Sequence, residues 1–357
     1  MRVGLASGDY MPAQRAADGK PHWGGSGWAR LGQYTEWLEH FEIEVVNGVL
    51  VWNRDHFCIR DHRDILISID VLIMQRLMHD NLSEHIIKAR QNGQVIINDL
   101  DDWYWGLDPS NDAFKSSHPK TNPGENRNHY KNVLASSDCV TVSTQYLADR
   151  IKPWVRCPIH ILENTVDVER FTPHIHTESH HPTAGWVGAT SHRSGDLEIL
   201  KGVINPLIVS GDIKFQHSGH YAHAETVASK LGLHDDQVSV LNAVDATQYP
   251  SLLTMDIGLA PLRDTPFNHA KSDIKLLEYS ASGIPWIGSS LSSYEGLRNT
   301  WGIGRTASKP SQWLKHLKDL RDPVRRADEG SALREAVWAR NISIGAHRLG
   351  SLINSLG

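Results

Sequence analysis

The sequence predicts an α/β protein built from two doubly wound, Rossmann-like domains that face each other across a cleft, followed by a C-terminal helical segment. Short apolar runs alternate with amphipathic helical patterns, which is typical of βαβ units and of parallel sheets. This alternation stops at a polar stretch, residues 173–183, and then starts again. The length of 357 residues also fits two domains at roughly 150 residues each.

The first domain is predicted to cover residues 1–172. Its apolar runs predict strands at 3–6, 43–46, 71–74, 94–98 and 139–143. Helical periodicity between these runs predicts helices at 27–41, 82–91 and 125–136. In such a sheet, ligands bind beyond the carboxyl ends of the strands.

Residues 173–183 are predicted to be a linker. The linker contains four histidines, a composition that resembles a metal-binding tract: His174, His176, His180 and His181. We favour a flexible polar linker, because a histidine-rich composition alone is weak evidence for a metal site.

The second domain is predicted to cover residues 184–335. Its strands are predicted at 184–188, 213–217, 238–241, 256–260 and 285–288. Its helices are predicted near 194–203, 222–232, 246–253 and 272–282, and the chain from about 309 onwards is mostly helical in pattern. Residues 336–357 are expected to form a C-terminal helix that could return to the first domain.

Composition narrows the class of protein. The formal net charge of −5 argues against a large nucleic-acid-binding face, although it is compatible with a local basic pocket. Three scattered cysteines predict neither a disulfide framework nor a metal knuckle. The most apolar stretch, residues 65–74, is too short to span a bilayer, and the first residues do not resemble a signal peptide. We therefore expect a cytoplasmic protein without a membrane span.

A glycine-rich loop, residues 24–27, precedes the first predicted helix. Glycines let backbone N–H groups approach a ligand closely, and a helix N-terminus favours anions. Gly25, Ser26 and Gly27 are therefore candidates for a phosphate-binding loop. A simple flexible turn is the alternative.

The helix predicted from Ser272 carries a second candidate site. Lys271, Lys275 and Glu278 recur on one helix face, with Ser272 as the predicted N-cap. Cations at a helix start oppose the macrodipole, so an anionic ligand is expected there. Glu278, one turn deeper, could accept hydrogen bonds from a ribose diol. The alternative is a solvated face with a Lys275–Glu278 ion pair.

An acidic cluster ends the strand predicted at 94–98. Asp99, Asp101 and Asp102 repel one another, so they need a partner. That partner is a hydroxyl-bearing acceptor, a cation or a nearby arginine such as Arg76. These three aspartates are the candidate catalytic residues. Capping of the loop is the alternative, and a metal site is less favoured because no further ligand stands nearby in the sequence.

Four segments together resemble a known family: residues 140–151, 159–173, 185–200 and 256–289. They resemble the retaining nucleotide-sugar glycosyltransferases of the GT-B fold, in the glycogen-synthase-like and mannosyltransferase group. The short motifs at 75–76, 99–102, 142–144 and 271–279 are similar to a branch common in bacteria and bacteriophages. The resemblance implies an acceptor domain at 1–172 and a nucleotide-sugar donor domain at 184–335.

The resemblance also implies roles for individual residues. The donor diphosphate would lie against the loop of Gly25, Ser26 and Gly27, and Glu278 would bind the ribose. Arg193 is the candidate phosphate-binding arginine of the second domain. Where family members often carry another glutamate near the donor sugar, this chain has Ala270. The neighbouring residues Asn268, Lys271 and Ser272 would then contact the sugar in its place.

The implied activity is transfer of a sugar from a UDP- or GDP-sugar with retention of anomeric configuration. The donor is a substrate, and neither a cofactor nor a metal is expected. A protein, a glycan and modified DNA all stay open as acceptors. Two alternatives stay open as well: a nucleotide-sugar epimerase of the same fold, and a non-catalytic sugar-nucleotide-binding or assembly protein, which the alanine at position 270 motivates.

Overall fold

The computed structural model describes residues 1–192 and 195–357. Within these residues, two parallel six-stranded sheets form the centres of two domains, and helices cover both faces of each sheet. Two small antiparallel sheets are added to the first domain, one of two strands and one of three.

The first sheet has the strand order β11-β10-β9-β8-β1-β4. The strands of this half are β1 (Arg2–Ser7), β2 (Tyr10–Arg15), β3 (Pro21–Trp23), β4 (Glu44–Asn47), β5 (Val49–Asn53), β6 (His56–Arg60), β7 (Leu66–Ser68), β8 (Val71–Gln75), β9 (Val95–Leu100), β10 (Cys139–Val142) and β11 (Ile159–Ile161). The helices are α1 (Gly25–Arg30), α2 (Thr35–Leu38), α3 (Leu82–Gln91), α4 (Asp112–Ser117), α5 (Arg127–Ser136) and α6 (Gln145–Ile151).

The predicted strands of this domain are confirmed with small shifts at their ends. All five residues of β8 are buried, and β9 is buried from its second residue onwards. Helices cover both faces of the sheet, which explains why these strands have nearly continuous apolar sequences and not alternating apolar and polar residues. The pairing is parallel, with Val71 beside Val3 in β1 and beside Val95 in β9.

The single helix predicted at 27–41 is wrong. The segment forms α1 and α2, each followed by a short 3₁₀ turn, because Leu31 leaves helical geometry at φ −130°. Gly32 then lies against the Trp23 ring, where a Cβ would sit about 3.0 Å from ring atoms. The antiparallel sheets β2–β3 and β5–β6–β7 were not predicted either, because their short strands lack a clear alternation of apolar and polar residues.

The second sheet has the strand order β14-β13-β12-β15-β16-β17. Its strands are β12 (Thr183–Val187), β13 (Lys214–His220), β14 (Val238–Asn242), β15 (Ile257–Ala260), β16 (Trp286–Ser289) and β17 (Arg305–Ala307). The helices of this half are α7 (Lys201–Val209), α8 (Val227–Leu231), α9 (Pro266–His269), α10 (Ile274–Ala281), α11 (Ser292–Trp301), α12 (Pro310–Asp319), α13 (Pro323–Ala336) and α14 (Ile342–Leu356). The short helix predicted near 246–253 forms as a 3₁₀ helix of four residues, Tyr249–Leu252.

The last helix packs against the first domain. Ile342, Leu349 and Ile353 of α14 join a buried cluster that includes Val3 of β1 and Leu38 of α2. The chain therefore crosses between the domains twice, once through the linker and once before α14. Along residues 1–192 and 195–357, no helix combines the length and the apolar character needed to cross a membrane.

Candidate active-site cleft

A cavity of about 720 Å³ lies between the two domains, where the carboxyl ends of both sheets meet. Most of the predicted site residues line it: Gly25, Ser26, Asp101, Asp102, Lys271, Ser272, Lys275 and Glu278. The structure therefore brings together segments that are about 250 residues apart in the chain. This is the position that ligands occupy in doubly wound sheets.

Helix α10 forms one wall of the cleft. It begins at Ile274 with Asp273 at the N-cap, so the predicted cap, Ser272, is wrong. The Ser272 hydroxyl instead accepts a hydrogen bond from Asn164 Nδ2 at 2.6 Å, which joins the two domains. Lys275 therefore lies in the first helical turn, while Lys271 precedes the helix.

Glu278 points into the cleft from the second turn of α10. Its Oε2 accepts a hydrogen bond from the Tyr249 hydroxyl at 2.6 Å. Burial raises the pKa of Glu278, and the nearby Lys275 charge offsets part of that rise. The Lys275 ammonium group donates to the carbonyl of Val187 at the end of β12 and lies 5.7 Å from the centre of the Trp186 ring. A carboxylate and an ammonium group from neighbouring turns of α10 thus lie in the cleft, with the ammonium group at the carboxyl end of the central strand β12.

Arg76 organises the opposite wall. Its guanidinium group donates to Asp101 Oδ2 at 2.6 Å, to Asp102 Oδ2 at 3.1 Å and to Asp9 Oδ2 at 3.1 Å. Of the three kinds of partner that the sequence left open for the acidic cluster, the structure places an arginine, Arg76, beside Asp101 and Asp102. Arg76 also has a φ of 60°, an unfavourable backbone conformation for a residue with a side chain, which its several partners hold in place.

Some of the hydrogen-bonding groups of the glycine-rich loop already have partners within the protein. The Gly27 N–H donates to Asp9 Oδ2 at 3.0 Å, and the Ser26 hydroxyl accepts from Arg76 Nη2 at 2.8 Å. Gly27 is required by packing, because a Cβ there would lie 2.7 Å from the Asp9 Cβ. Gly25 and Ser26 line the cavity, whereas Gly27 is not among the lining residues.

Asp99 lies behind the cleft wall. Its carboxylate accepts from Arg30 Nη2 at 2.6 Å and from the Thr141 hydroxyl at 2.6 Å, and both charged side chains are buried. It does not line the cavity. The geometry gives Asp99 a structural partner and separates it from Asp101 and Asp102.

The remaining predicted residues lie elsewhere. The buried Asn268 amide donates to Asp196 Oδ1 at 2.7 Å, away from the residues that line the cavity. Arg193 lies outside the described residues. Ala270 is fully buried, and its carbonyl accepts from the Thr144 hydroxyl at 3.1 Å. Ala270 belongs to the buried cluster that includes Trp103 and Tyr104, so a glutamate side chain at position 270 would have to enter that apolar packing.

Three cleft residues were not found from the sequence: Asp9, Tyr249 and Arg170. The Arg170 guanidinium group lies 5.0 Å from the Trp28 ring centre and donates to the carbonyls of Ala246 and Thr247, both at 2.9 Å. It thereby bridges the domains beside a second cavity of about 670 Å³, whose walls include Trp28 and Trp37. No local pattern marks these residues, because their partners are distant in the chain.

No family model matches the chain. Over 168 residues, the chain is 24% identical to TuaH of Bacillus subtilis, a protein named as a glycosyltransferase of teichuronic acid biosynthesis. That match covers 45% of this chain and 42% of the relative, so it spans less than half of either protein.

Two solved structures match along nearly the whole chain. Sucrose-phosphate synthase of Thermosynechococcus elongatus matches with a TM-score of 0.67 and 15% identity, over 100% of this chain and 99% of the other. HepE of Anabaena, solved in complex with UDP and glucose, matches with a TM-score of 0.63 and 10% identity, over 99% of this chain and 100% of HepE. The predicted architecture is confirmed: the chain has the GT-B fold seen in glycosyltransferases, with two doubly wound domains facing each other across a cleft.

Proposed function

We propose that this protein is a glycosyltransferase that binds a nucleoside-diphosphate sugar in the cleft and transfers the sugar to an acceptor. One observation carries the proposal: a cleft-facing carboxylate, Glu278, lies one helical turn from Lys275, whose ammonium group is at the carboxyl end of β12. A ribose diol donates to a carboxylate, and a diphosphate pairs with an ammonium group. The name of TuaH and the UDP bound in HepE support the same chemistry.

The diphosphate would lie between Lys271 and Lys275 at the start of α10. Lys271 Nζ is 3.5 Å from Asp102 Oδ1, a long contact that a diphosphate oxygen can replace. The N-terminus of α10 adds backbone N–H groups and a favourable dipole. Stabilising the departing diphosphate and orienting the acceptor would supply most of the rate, and we infer retention of anomeric configuration and a UDP- or GDP-linked donor from the family resemblance.

The acceptor would enter from the first domain. Asp102 lines the cleft beside Lys271, and the cavity that includes Trp28 and Trp37 shares wall residues with the cleft, among them Trp28 and Arg170. Aromatic rings with neighbouring carboxylates are surfaces that suit hydroxyl-bearing molecules. We therefore assign Asp102 to the acceptor side of the reaction.

The direct test is a binding screen followed by a transfer assay. UDP, GDP and their glucose conjugates are titrated calorimetrically, and we expect one nucleoside diphosphate to bind at a single site. Transfer is then measured by release of that diphosphate in the presence of candidate acceptors. An epimerase would interconvert the sugar without transfer, and a binding protein would show no turnover; either result would overturn the proposed activity.

Replacing Lys275 by methionine should weaken binding of the nucleoside diphosphate about tenfold while changing binding of the bare nucleoside little. Methionine keeps most of the apolar stem but removes the charge that meets the diphosphate. Calorimetric titrations of both ligands against wild type and variant measure the difference. Equal losses for the two ligands would mean that Lys275 acts only through the Val187 carbonyl.

Replacing Asp102 by asparagine should lower turnover about tenfold without weakening binding of the nucleoside diphosphate, because the change releases Lys271 from a competing carboxylate. Asp236→Asn, an exposed position in the second domain, is the matched control. Turnover is followed as diphosphate release, with and without EDTA, and we expect EDTA to have no effect. Loss with EDTA and recovery with Mn²⁺ in the wild type, with no response to either in Asp102→Asn, would make the acidic cluster a metal site instead.

A further inference from the structure

The linker between the domains holds a cluster of potential metal ligands outside the cleft. His174 Nε2 lies 3.2 Å from Asp256 Oδ1, and the rings of His174 and His176 are 4.8 Å apart, centre to centre. One ligand atom from each of these three residues lies within 4.8 Å of the other two. None of the three lines the cavity between the domains.

The two ring nitrogens of His176 have different surroundings. Its Nε2 lies 2.9 Å from the carbonyl oxygen of Gly283. Because a carbonyl only accepts, Nε2 must carry the proton, and Nδ1 is left with a lone pair. Along residues 1–192 and 195–357, this Nδ1 is buried and finds no hydrogen-bond partner. A buried acceptor without a donor is unfavourable, and a bound cation would satisfy it.

The surrounding groups match the second layer of a metal site. Histidine ligands usually donate their other ring N–H to a carbonyl or carboxylate, as His176 does to Gly283. The second carboxylate oxygen of Asp256 accepts from the Thr183 N–H at 2.8 Å, which leaves Oδ1 directed at His174. Both supporting groups are backbone atoms, so they hold their ligands in place independently of side-chain identity.

We propose that His174, His176 and Asp256 bind a divalent transition-metal ion such as Zn²⁺. Two imidazoles and one carboxylate, completed by a water molecule, are a donor set for tetrahedral Zn²⁺ with bonds of about 2.0–2.2 Å. Such bonds place the ligand atoms about 3.3 Å apart. The ligand atoms now lie within 4.8 Å of one another, so metal binding would require them to move closer together.

The donor set also selects against Mg²⁺ and Ca²⁺. Those ions prefer oxygen ligands, whereas imidazole favours zinc, cobalt, nickel and copper. The buried guanidinium group of Arg326 donates to the linker carbonyls of Thr177 and Ser179, at 3.0 Å and 2.7 Å. These carbonyl oxygens are thereby already hydrogen-bonded, which leaves the two imidazoles and Asp256 as the ligands of the cluster.

Metal binding at this cluster would tie three segments together. The linker contributes both histidines, Asp256 immediately precedes β15, and Gly283 follows α10, which carries Lys275 and Glu278. The His174 N–H already donates to the Ser282 carbonyl at 2.7 Å, so the linker lies on the end of α10 before any ion binds. The ion is therefore a structural clamp on the interdomain linker and takes no part in group transfer.

The test is titration of the untagged, chelator-treated full-length protein with Zn²⁺ by calorimetry and with Co²⁺ by visible absorption. We expect one ion per chain, a d–d absorption typical of tetrahedral Co²⁺, and a rise in Tm with Zn²⁺. His176→Gln keeps a donor for the Gly283 carbonyl but loses the Nδ1 lone pair. Removing only the hydrogen-bond partner of a metal ligand lowers metal affinity about 10–100-fold. This variant and His174→Gln, which each lose a ligand itself, should therefore bind Zn²⁺ at least about tenfold more weakly than the wild type.

His180→Gln is the matched control, because His180 is an exposed histidine of the same linker. It should bind Zn²⁺ like the wild type. Far-UV circular dichroism without metal checks that each variant folds. Equal Zn²⁺ affinity in all four proteins would mean that the ion binds adventitiously to some of the 21 histidines, and no binding to the wild type would also overturn the proposal.

Discussion

Replacing Asp99 by alanine is expected to lower the free energy of unfolding by about 3–5 kcal/mol, because it leaves the Arg30 charge buried without its counter-ion. Arg30 is 5% exposed and Asp99 is 2% exposed, so water cannot replace the lost carboxylate. The other partners of Arg30 are the Leu162 carbonyl and the Asn164 side chain, which are neutral. They hold the guanidinium group in place but do not balance its charge.

Chemical denaturation of wild type and variant measures this loss. The double variant Arg30→Met/Asp99→Leu should recover much of the stability, since apolar pairs often replace buried ion pairs with little cost. Nucleoside-diphosphate affinity of the folded Asp99→Ala protein should stay within about twofold of wild type, which is about 0.4 kcal/mol. A stable variant with no turnover would instead return Asp99 to the catalytic group with Asp101 and Asp102.

The distinction between these aspartates depends on the alternation of side chains along a strand. Ile97 and Asp99 lie on the same face of β9, and Ile97 belongs to the buried cluster beneath α14. Asp101 and Asp102 come after the strand ends, where side chains reach the cleft. The sequence predicted this strand but ended it at residue 98, before Asp99, whereas β9 continues to Leu100. Both faces of β9 are buried, so no alternation of exposed and buried positions marked Asp99 as an inward-facing residue.

Local patterns predicted the elements that depend on local interactions. Helix α3 has the bounds that its periodicity predicted, 82–91, because its apolar face recurs regularly and polar residues stand at both ends. The arginine partners are different. Arg30 lies 69 residues from Asp99, and Arg170 lies 76 residues from Ala246, so their pairing depends on how the sheets and linkers bring distant segments together. Position in the sheet topology, rather than residue type, decides these contacts.

Replacing Glu278 by glutamine should weaken binding of the nucleoside diphosphate by about 1.5–3 kcal/mol, or roughly ten- to hundredfold in Kd. Glutamine is isosteric, and its carbonyl oxygen can still accept from the Tyr249 hydroxyl. It lacks the charge that strengthens hydrogen bonds from a ribose diol. Calorimetric titration measures the loss, and Glu84→Gln, an exposed position on α3, is the matched control.

The same variant should lose a pH dependence of stability. Burial raises the pKa of Glu278 in the folded protein, so the folded state holds this proton more tightly than the unfolded chain does. The free energy of unfolding of the wild type therefore falls as pH rises from the unfolded pKa towards the raised folded pKa. Glutamine cannot titrate, so the stability of Glu278→Gln relative to wild type should increase across that interval and level off above it.

These two measurements together separate a binding role from a structural one. A residue kept for ligand binding at a cost to the empty protein should give a variant that is at least as stable as the wild type near neutral pH but binds the nucleotide more weakly. A residue kept for structure should give the reverse. If Glu278→Gln is less stable than wild type at pH 7 and binds the nucleoside diphosphate equally well, the carboxylate serves the Tyr249 contact and the ribose must be bound elsewhere in the cleft.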